Sequence, residues 1–354
     1  MIPGGLMAGV RTTAFRAAFA GLHASGANSW LARRARGLGV VLTLHHVRPW
    51  RERAFAPNRL LEVTPEFLDD ALGRARELGF DFVSLDEAWR RVSVGVSLRP
   101  FLHVTFDDGY RDVRDFALPV LERHGAPATL YVASAFADGE AEIWWLALEE
   151  ALVRARRVVV DLGRGEAVLS AACAQEKAAA WDAIYWRLRS GPEERLRSEV
   201  RRLAEEQGVD VLAFARDLCM RWDELKEVAK NSLVTIGAHT VTHPMLAKHP
   251  EDVARAEMAD SREAIRLKLG EAPAHFAYPV GDLSAAGARE YDIARDLGFV
   301  TAVTTRPGHL FKRHAATPTA LPRVSLNGHF QTRAAVDALL AGTPFLGLRA
   351  LGRA

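Results

Sequence analysis

Five residues have the types and spacing to hold a metal ion and move a proton together. They are Asp107 and Asp108 in Thr105-Phe-Asp-Asp-Gly109, His239 and His243 in His239-Thr-Val-Thr-His243, and His45 in Leu42-Thr-Leu-His-His-Val47. Two neighbouring carboxylates repel unless positive charge sits beside them, and a metal ion supplies that charge. One Asp can then ligate while the other stays free to accept a proton. Two histidines four apart face one side of a helical turn, which suits two ligands of one zinc-like ion. Each motif also has a bland reading: H-x-x-x-H arises by chance, and either Asp could cap the next helix. The Glu of H-E-x-x-H is missing, which disfavours a zinc protease.

The elements that must position these residues read as parallel βα units. Strands are expected at 40–44, 80–83, 101–106, 125–132, 233–236, 275–278, 299–304 and 321–326. Helices alternate with them, among them 64–78 (Thr64 N-cap, Pro65 in the first turn), 84–91, 250–269, 285–297 and 332–340. The five reactive residues each fall just past the C-terminal end of a strand, where α/β barrels hold their active sites. The rhythm breaks at about 136–230, a stretch rich in Ala, Glu, Arg and Leu that holds Trp144, Trp145, Trp181, Trp186 and Trp222. It reads as a helical insertion with a short hairpin at 156–165, and with Asp223 as an N-cap. The organisation expected is an N-terminal helical segment, 1–39, and a unit spanning 40–354 that carries the insertion.

Composition narrows the field. Of 354 residues, 49% are apolar and 25% charged, ordinary for a folded chain. The 46 basic and 44 acidic residues leave a net charge of +2, too balanced for a nucleic-acid binder. Two cysteines, Cys173 and Cys219, exclude a disulfide scaffold or a thiolate zinc site within the chain and fit a reducing compartment. No segment is long and apolar enough to span a bilayer. The expected location is cytoplasmic, with peripheral membrane contact open to the arginine-bearing segment 11–36.

Together, the two motifs resemble those of the polysaccharide deacetylases of the NodB-homology type, carbohydrate esterase family 4. Thr105 to Gly109 matches T-F-D-D-G. Ala238-His-Thr-Val-Thr-His243 matches [S/T]-H-x-x-x-H, with Ala238 replacing the hydroxyl residue. The resemblance covers about residues 40–330 outside the insertion. It implies a deformed (β/α) barrel of about seven strands and hydrolysis of the acetamide of an N-acetylated glycan or glycolipid. It also implies one divalent metal, zinc first, with cobalt, iron and nickel also compatible. By position, Asp108, His239 and His243 become the metal ligands and Asp107 the base.

The third family motif, R-x-P-[Y/F]-G, is altered to Ala277-Tyr-Pro-Val-Gly281. The resemblance implies an oxyanion donor at the Val280 N–H, which a side-chain change leaves intact. The arginine that pairs with the base is absent, and Arg323 in Leu321-Pro-Arg-Val324 is the expected replacement. No Leu-His motif carrying a general acid is evident. Leu42-Thr-Leu-His-His-Val47 and Ala277-Tyr-Pro-Val-Gly281 are similar to motifs of the poly-N-acetylglucosamine deacetylase branch, which implies His45, rather than His46, as the acid. Tyr278, Tyr110, Trp144 and Trp145 are expected to meet the sugar, a core role being equally open to the tryptophans. His309 is a weaker substrate contact, and His103 is expected to be packed. The alternatives are an inactive carbohydrate-binding protein, for which the altered motif speaks, a sugar O-acetyl esterase, and an amidase for small substrates.

Overall fold

Short runs of Val, Leu, Ile, Thr and Phe form the strands β1 (Gly39–Leu44), β2 (Phe101–Phe106), β3 (Ala128–Val132), β4 (Val234–Ala238), β5 (His275–Ala277), β6 (Thr301–Pro307) and β7 (Leu321–Ser325) in the computed structural model. The structure describes residues 4–163 and 165–347; the outermost residues of the expected 1–39 and 40–354 units lie outside the described residues. Every residue of β1, β2 and β3 is buried, as parallel strands covered on both faces require. All seven pair in parallel in the order β1-β7-β6-β5-β4-β3-β2. The ring closes because β2 returns to β1, with Gly39 opposite Phe101 and Leu44 opposite Phe106. Gly39 permits that closure: a Cβ there would lie 2.4 Å from the Phe101 ring. The result is a closed seven-stranded (β/α) barrel. The strand expected at 80–83 shortens to Asp81–Phe82 and lies outside the ring on β2.

Helices α1 (Gly4–Ala24) and α2 (Ala27–Ala35) precede the barrel. Phe19 meets Phe330 edge-on at 5.3 Å, and Arg16 donates to the His329 carbonyl at 3.0 and 3.1 Å. These contacts tie α1 to the segment after β7. No helix among the described residues is long and apolar enough to cross a membrane.

Between β3 and β4 the chain is mainly helical. It contains α3 (Trp144–Arg154), α4 (Ala174–Arg189), α5 (Glu193–Glu206) and shorter helices, with an antiparallel hairpin of Arg157–Asp161 and Glu166–Ser170. The hairpin extends beyond the expected 156–165. Asp223 is not the N-cap: the helix Trp222–Val228 begins one residue earlier, Asp223 sits in its first turn, and Glu224 accepts the Arg221 N–H at 2.9 Å. After β4 come α6 (Glu251–Leu269), closed by Gly270 at φ +93°, and later Ala288–Asp296. The latter starts three residues after the expected 285. Asp282 accepts the Ser284 N–H and hydroxyl with its carboxylate and the Ala285 and Ala286 N–H groups with its carbonyl, which fixes a turn there instead. Thr332 caps α7 (Arg333–Ala341).

Candidate active site

The chain turns sharply where β2 ends. Asp107 donates its N–H to the Leu44 carbonyl at 3.0 Å, and Asp108 and Gly109 follow at φ +72°. This turn sends the two carboxylates in different directions. Asp107 lies on the face of β2 shared by Phe101, His103 and Thr105, and Arg323 comes to it from β7. The guanidinium donates to both Asp107 oxygens at 2.7 Å, to Thr105 Oγ1 at 2.9 Å and to the Thr304 carbonyl at 3.0 Å. Burial alone would raise the Asp107 carboxyl, but the Arg323 charge and hydrogen bonds outweigh it and hold the group below the ordinary range. Arg323 thus forms a two-pronged pair with Asp107.

Asp108 faces the histidines. Its Oδ1 lies 3.4 Å from His239 Nε2 and 3.3 Å from His243 Nε2. All three residues are buried, and their ligand-type atoms lie within 4.8 Å of one another. Asp108 Oδ1 has no hydrogen-bond partner among the described residues. His239 Nδ1 donates to the Ala277 carbonyl at 2.7 Å, leaving the Nε2 lone pair aimed at Asp108. An orphaned buried carboxylate oxygen beside two imidazole Nε2 atoms is a donor set that fits a divalent cation. The expectation of a helical turn was wrong, however. Residues 239–243 form a loop, with Thr240 at φ +66° and His243 at φ +58°.

The first strand separates its two histidines. His45 lines the cavity beside Asp108; burial lowers its pKa against the upward pull of Asp108 and Asp107. His46 turns away, stacks on Tyr110 at 3.6 Å and binds Asp112 Oδ2 through Nδ1 at 2.6 Å. Tyr110 is therefore buried behind His46 and does not line the cavity, contrary to expectation. Tyr278 departs as well. It follows the period-two alternation of Phe276, packs 5.1 Å from that ring, and donates its hydroxyl to the Thr319 carbonyl at 2.8 Å. Val280 does reach the cavity, at φ +62°, and no hydrogen bond to its N–H is found among the described residues. Thr305 Oγ1 anchors the same residue by donating to its carbonyl at 2.7 Å.

The cavity lined by His45, Asp108, His243 and Val280 measures about 300 Å³; Asp107 and His239 are not among its lining residues. Its barrel side includes Thr43, His45, Asp108, His243 and Val280, and its other side Trp144, Trp145, Tyr185 and Arg189 from the insertion. Trp145 lies 4.8 Å from the His243 ring, so both tryptophans are buried and also wall the site. Sequence reasoning missed Asn58, Tyr185, Arg189 and Asp282. Asn58 donates to the Trp145 carbonyl at 3.0 Å, and Arg189 pairs with Asp282. No motif marks these residues, since each is placed by contacts between distant segments. His309 is buried between the Arg36 and Leu339 carbonyls and takes no part in the cavity; His103, packed as expected, bonds Val83 and Thr129. A larger hollow of about 490 Å³ beside Arg53 and Lys177 contains none of these groups.

A seven-stranded barrel with this Asp-Asp and His-His constellation at the C-terminal ends of its strands is the architecture of a hydrolase with a metal-type donor set. The family described as polysaccharide deacetylase matches residues 97–302, more than half of the chain. The chain belongs to the polysaccharide deacetylase family. Among solved structures it is similar to the Streptococcus pyogenes deacetylase PplD, solved with acetate, at 19% identity and a TM-score of 0.53, covering 83% of this chain and 94% of that one. IcaB from Ammonifex degensii is similar at 21% identity and a TM-score of 0.53, covering 87% and 98%. BC0361, a polysaccharide deacetylase from Bacillus cereus, is similar at 16% identity and a TM-score of 0.53, covering 86% and 69%. These likenesses extend to the fold. No curated protein matches the chain.

Proposed function

We propose that the protein is a metal-dependent deacetylase that hydrolyses the N-acetyl group of amino sugars in an oligosaccharide, polysaccharide or glycolipid. The observation that carries this reading is the division of labour in Asp107-Asp108: one carboxylate is held by Arg323, the other faces two imidazole Nε2 atoms. Asp108, His239 and His243 would hold the ion, zinc being the first choice. Bound there, a divalent metal supplies the Lewis acidity that polarises the acetamide carbonyl and acidifies water.

The chain's own groups do the rest. Asp107, kept ionised by Arg323, accepts the proton of the attacking water. The Val280 N–H donates to the oxyanion that replaces the acetamide carbonyl. The proton taken from water passes on to the departing amine, with His45 as the group that delivers it. Trp144, Trp145 and Tyr185 offer flat apolar walls to a sugar ring. An inactive binding protein was favoured by the missing motif-three arginine and by the lack of a clear general acid; the pairing of Arg323 with Asp107 weighs against the first of these grounds.

The test is bound metal together with acetate release from chitooligosaccharides, for the parent and for Asp107→Asn. The reading expects near-stoichiometric metal in both proteins and acetate from the parent alone. A protein that binds no ion under metal-replete conditions would overturn it.

A further inference from the structure

The loop that carries the two histidines is held from both sides, and one of those sides is the insertion. Thr240 and His243 sit in the left-handed region, which for side chains of this kind persists only where the surroundings over-determine it. Part of the constraint is internal, as Thr240 Oγ1 accepts the His243 N–H at 3.1 Å. From α6, Glu257 accepts the Val241 N–H at 2.8 Å, the Thr242 N–H at 2.9 Å and the Thr242 hydroxyl at 2.7 Å. From α5, inside the insertion, Arg197 donates to the Thr242 carbonyl at 3.2 Å and the His243 carbonyl at 2.9 Å. Glu193 opens that helix, is 2% exposed, pairs with Arg197 at 2.8 Å and accepts the Met245 N–H at 2.6 Å.

Glu257 therefore takes the N–H groups of Val241 and Thr242, Arg197 takes the carbonyls of Thr242 and His243, and the Thr240 and Val241 carbonyls accept from the Ser134 and Ala135 N–H groups. Glu257 and Arg197 act on adjacent peptide units with opposite charge, so the peptide planes between His239 and Met245 are fixed in orientation. His243 gains most, because its ring Nδ1 has no hydrogen-bond partner among the described residues and its backbone must do the aiming.

We propose that Glu257 and the Glu193–Arg197 pair are positioning residues for the metal site, and that the insertion is a structural member of that site as well as a wall of the cavity. The inference rests on the metal reading of Asp108, His239 and His243. It assigns to α5 the part usually played by outer hydrogen-bond partners, whose loss lowers metal affinity roughly 10–100-fold.

The experiment measures zinc affinity of the full chain by competition with a chromophoric chelator, together with the thermal melt of the metal-free protein. The variants are Glu257→Ala, Arg197→Ala and the conservative Glu257→Gln and Arg197→Lys, with Asp223→Ala as an insertion control. The alanine variants are expected to bind zinc roughly 10–100-fold more weakly. The conservative variants should recover part of that loss, and Asp223→Ala should match the parent. A merely structural role would lower the melt and leave the affinity of the folded protein intact, which would overturn the proposal. If an alanine variant fails to fold, its conservative partner decides: a folded Arg197→Lys or Glu257→Gln with parental affinity overturns the assignment. A parent that binds no zinc overturns the metal reading instead, so the two failures are distinct.

Discussion

Arg323→Met removes the counter-charge of Asp107 while keeping much of the aliphatic stem. In the structure the guanidinium supplies two 2.7 Å bonds to Asp107 and one bond each to Thr105 and Thr304, and Arg323 is 1% exposed. Its loss strands a carboxylate in the barrel interior, and breaking such a buried pair from one side costs about 3–5 kcal/mol. The carboxylate can escape part of that cost by taking up a proton, since burial would then raise its pKa against only the smaller downward pull of His239 and His45. The base would be ionised only at higher pH, so the acidic limb of the activity profile moves upward. Urea unfolding should show a loss of about 3–5 kcal/mol, and acetate release near neutrality should fall. Arg323→Lys keeps the charge without the two-pronged geometry and should fall between. Asp107→Asn in the Arg323→Met background removes the stranded charge, so the double variant should be more stable than the sum of its parents by about 2 kcal/mol. An Arg323→Met protein within about 0.5 kcal/mol of the parent, with an additive cycle, would refute the reasoning.

Other consequences follow from the same geometry. Asp107→Asn should retain zinc and lose roughly 10²–10⁴-fold in acetate release, whereas Asp108→Asn should lose the zinc itself, as elemental analysis would show. His45→Gln should lower the rate of acetate release by a similar factor. His46→Gln, which disturbs a buried bond to Asp112, should appear chiefly as a lower melting temperature; equal kinetic losses would contradict the assignment. His103 is buried between Val83 and Thr129, and burial pushes its pKa from 6.5 down to about 4. The folded imidazole therefore stays neutral where the unfolded one takes up a proton. Its contribution is complete above pH about 6.5 and falls by up to about 3 kcal/mol toward pH about 4. Urea titrations across that interval should flatten in a His103→Gln variant that folds.

Much of the barrel was legible because parallel strands buried on both faces read as short β-branched and aromatic runs, and because the reactive residues ended them. The alternation along those runs carried more than was drawn from it. Asp107 shares a face with Thr105 and His103, and Arg323 with Leu321, which places both inside the ring. Tyr278 shares its face with Phe276 and so leaves it. The histidine loop was different in kind. A four-residue spacing brings two imidazoles together on a helical turn, and here a left-handed loop does so, held by Glu257 and Arg197 from helices remote in sequence. Among the described residues the non-glycine positions with positive φ are Asp108, Thr240, His243 and Val280, and each belongs to the candidate site or to the loop that carries it. Gly, Asn, Asp and His are the residue types most often found with left-handed backbone, so Asp108 and His243 are open to it, whereas the β-branched Thr240 and Val280 give a reader of the sequence no sign of it. The proposed chemistry uses a carboxylate, an imidazole and a free N–H there, and the surrounding hydrogen bonds hold the left-handed backbone that carries them. Backbone constraint and ligand geometry are therefore one property of this site, and it was hidden from local sequence rules for the same reason that it is suited to bind an ion.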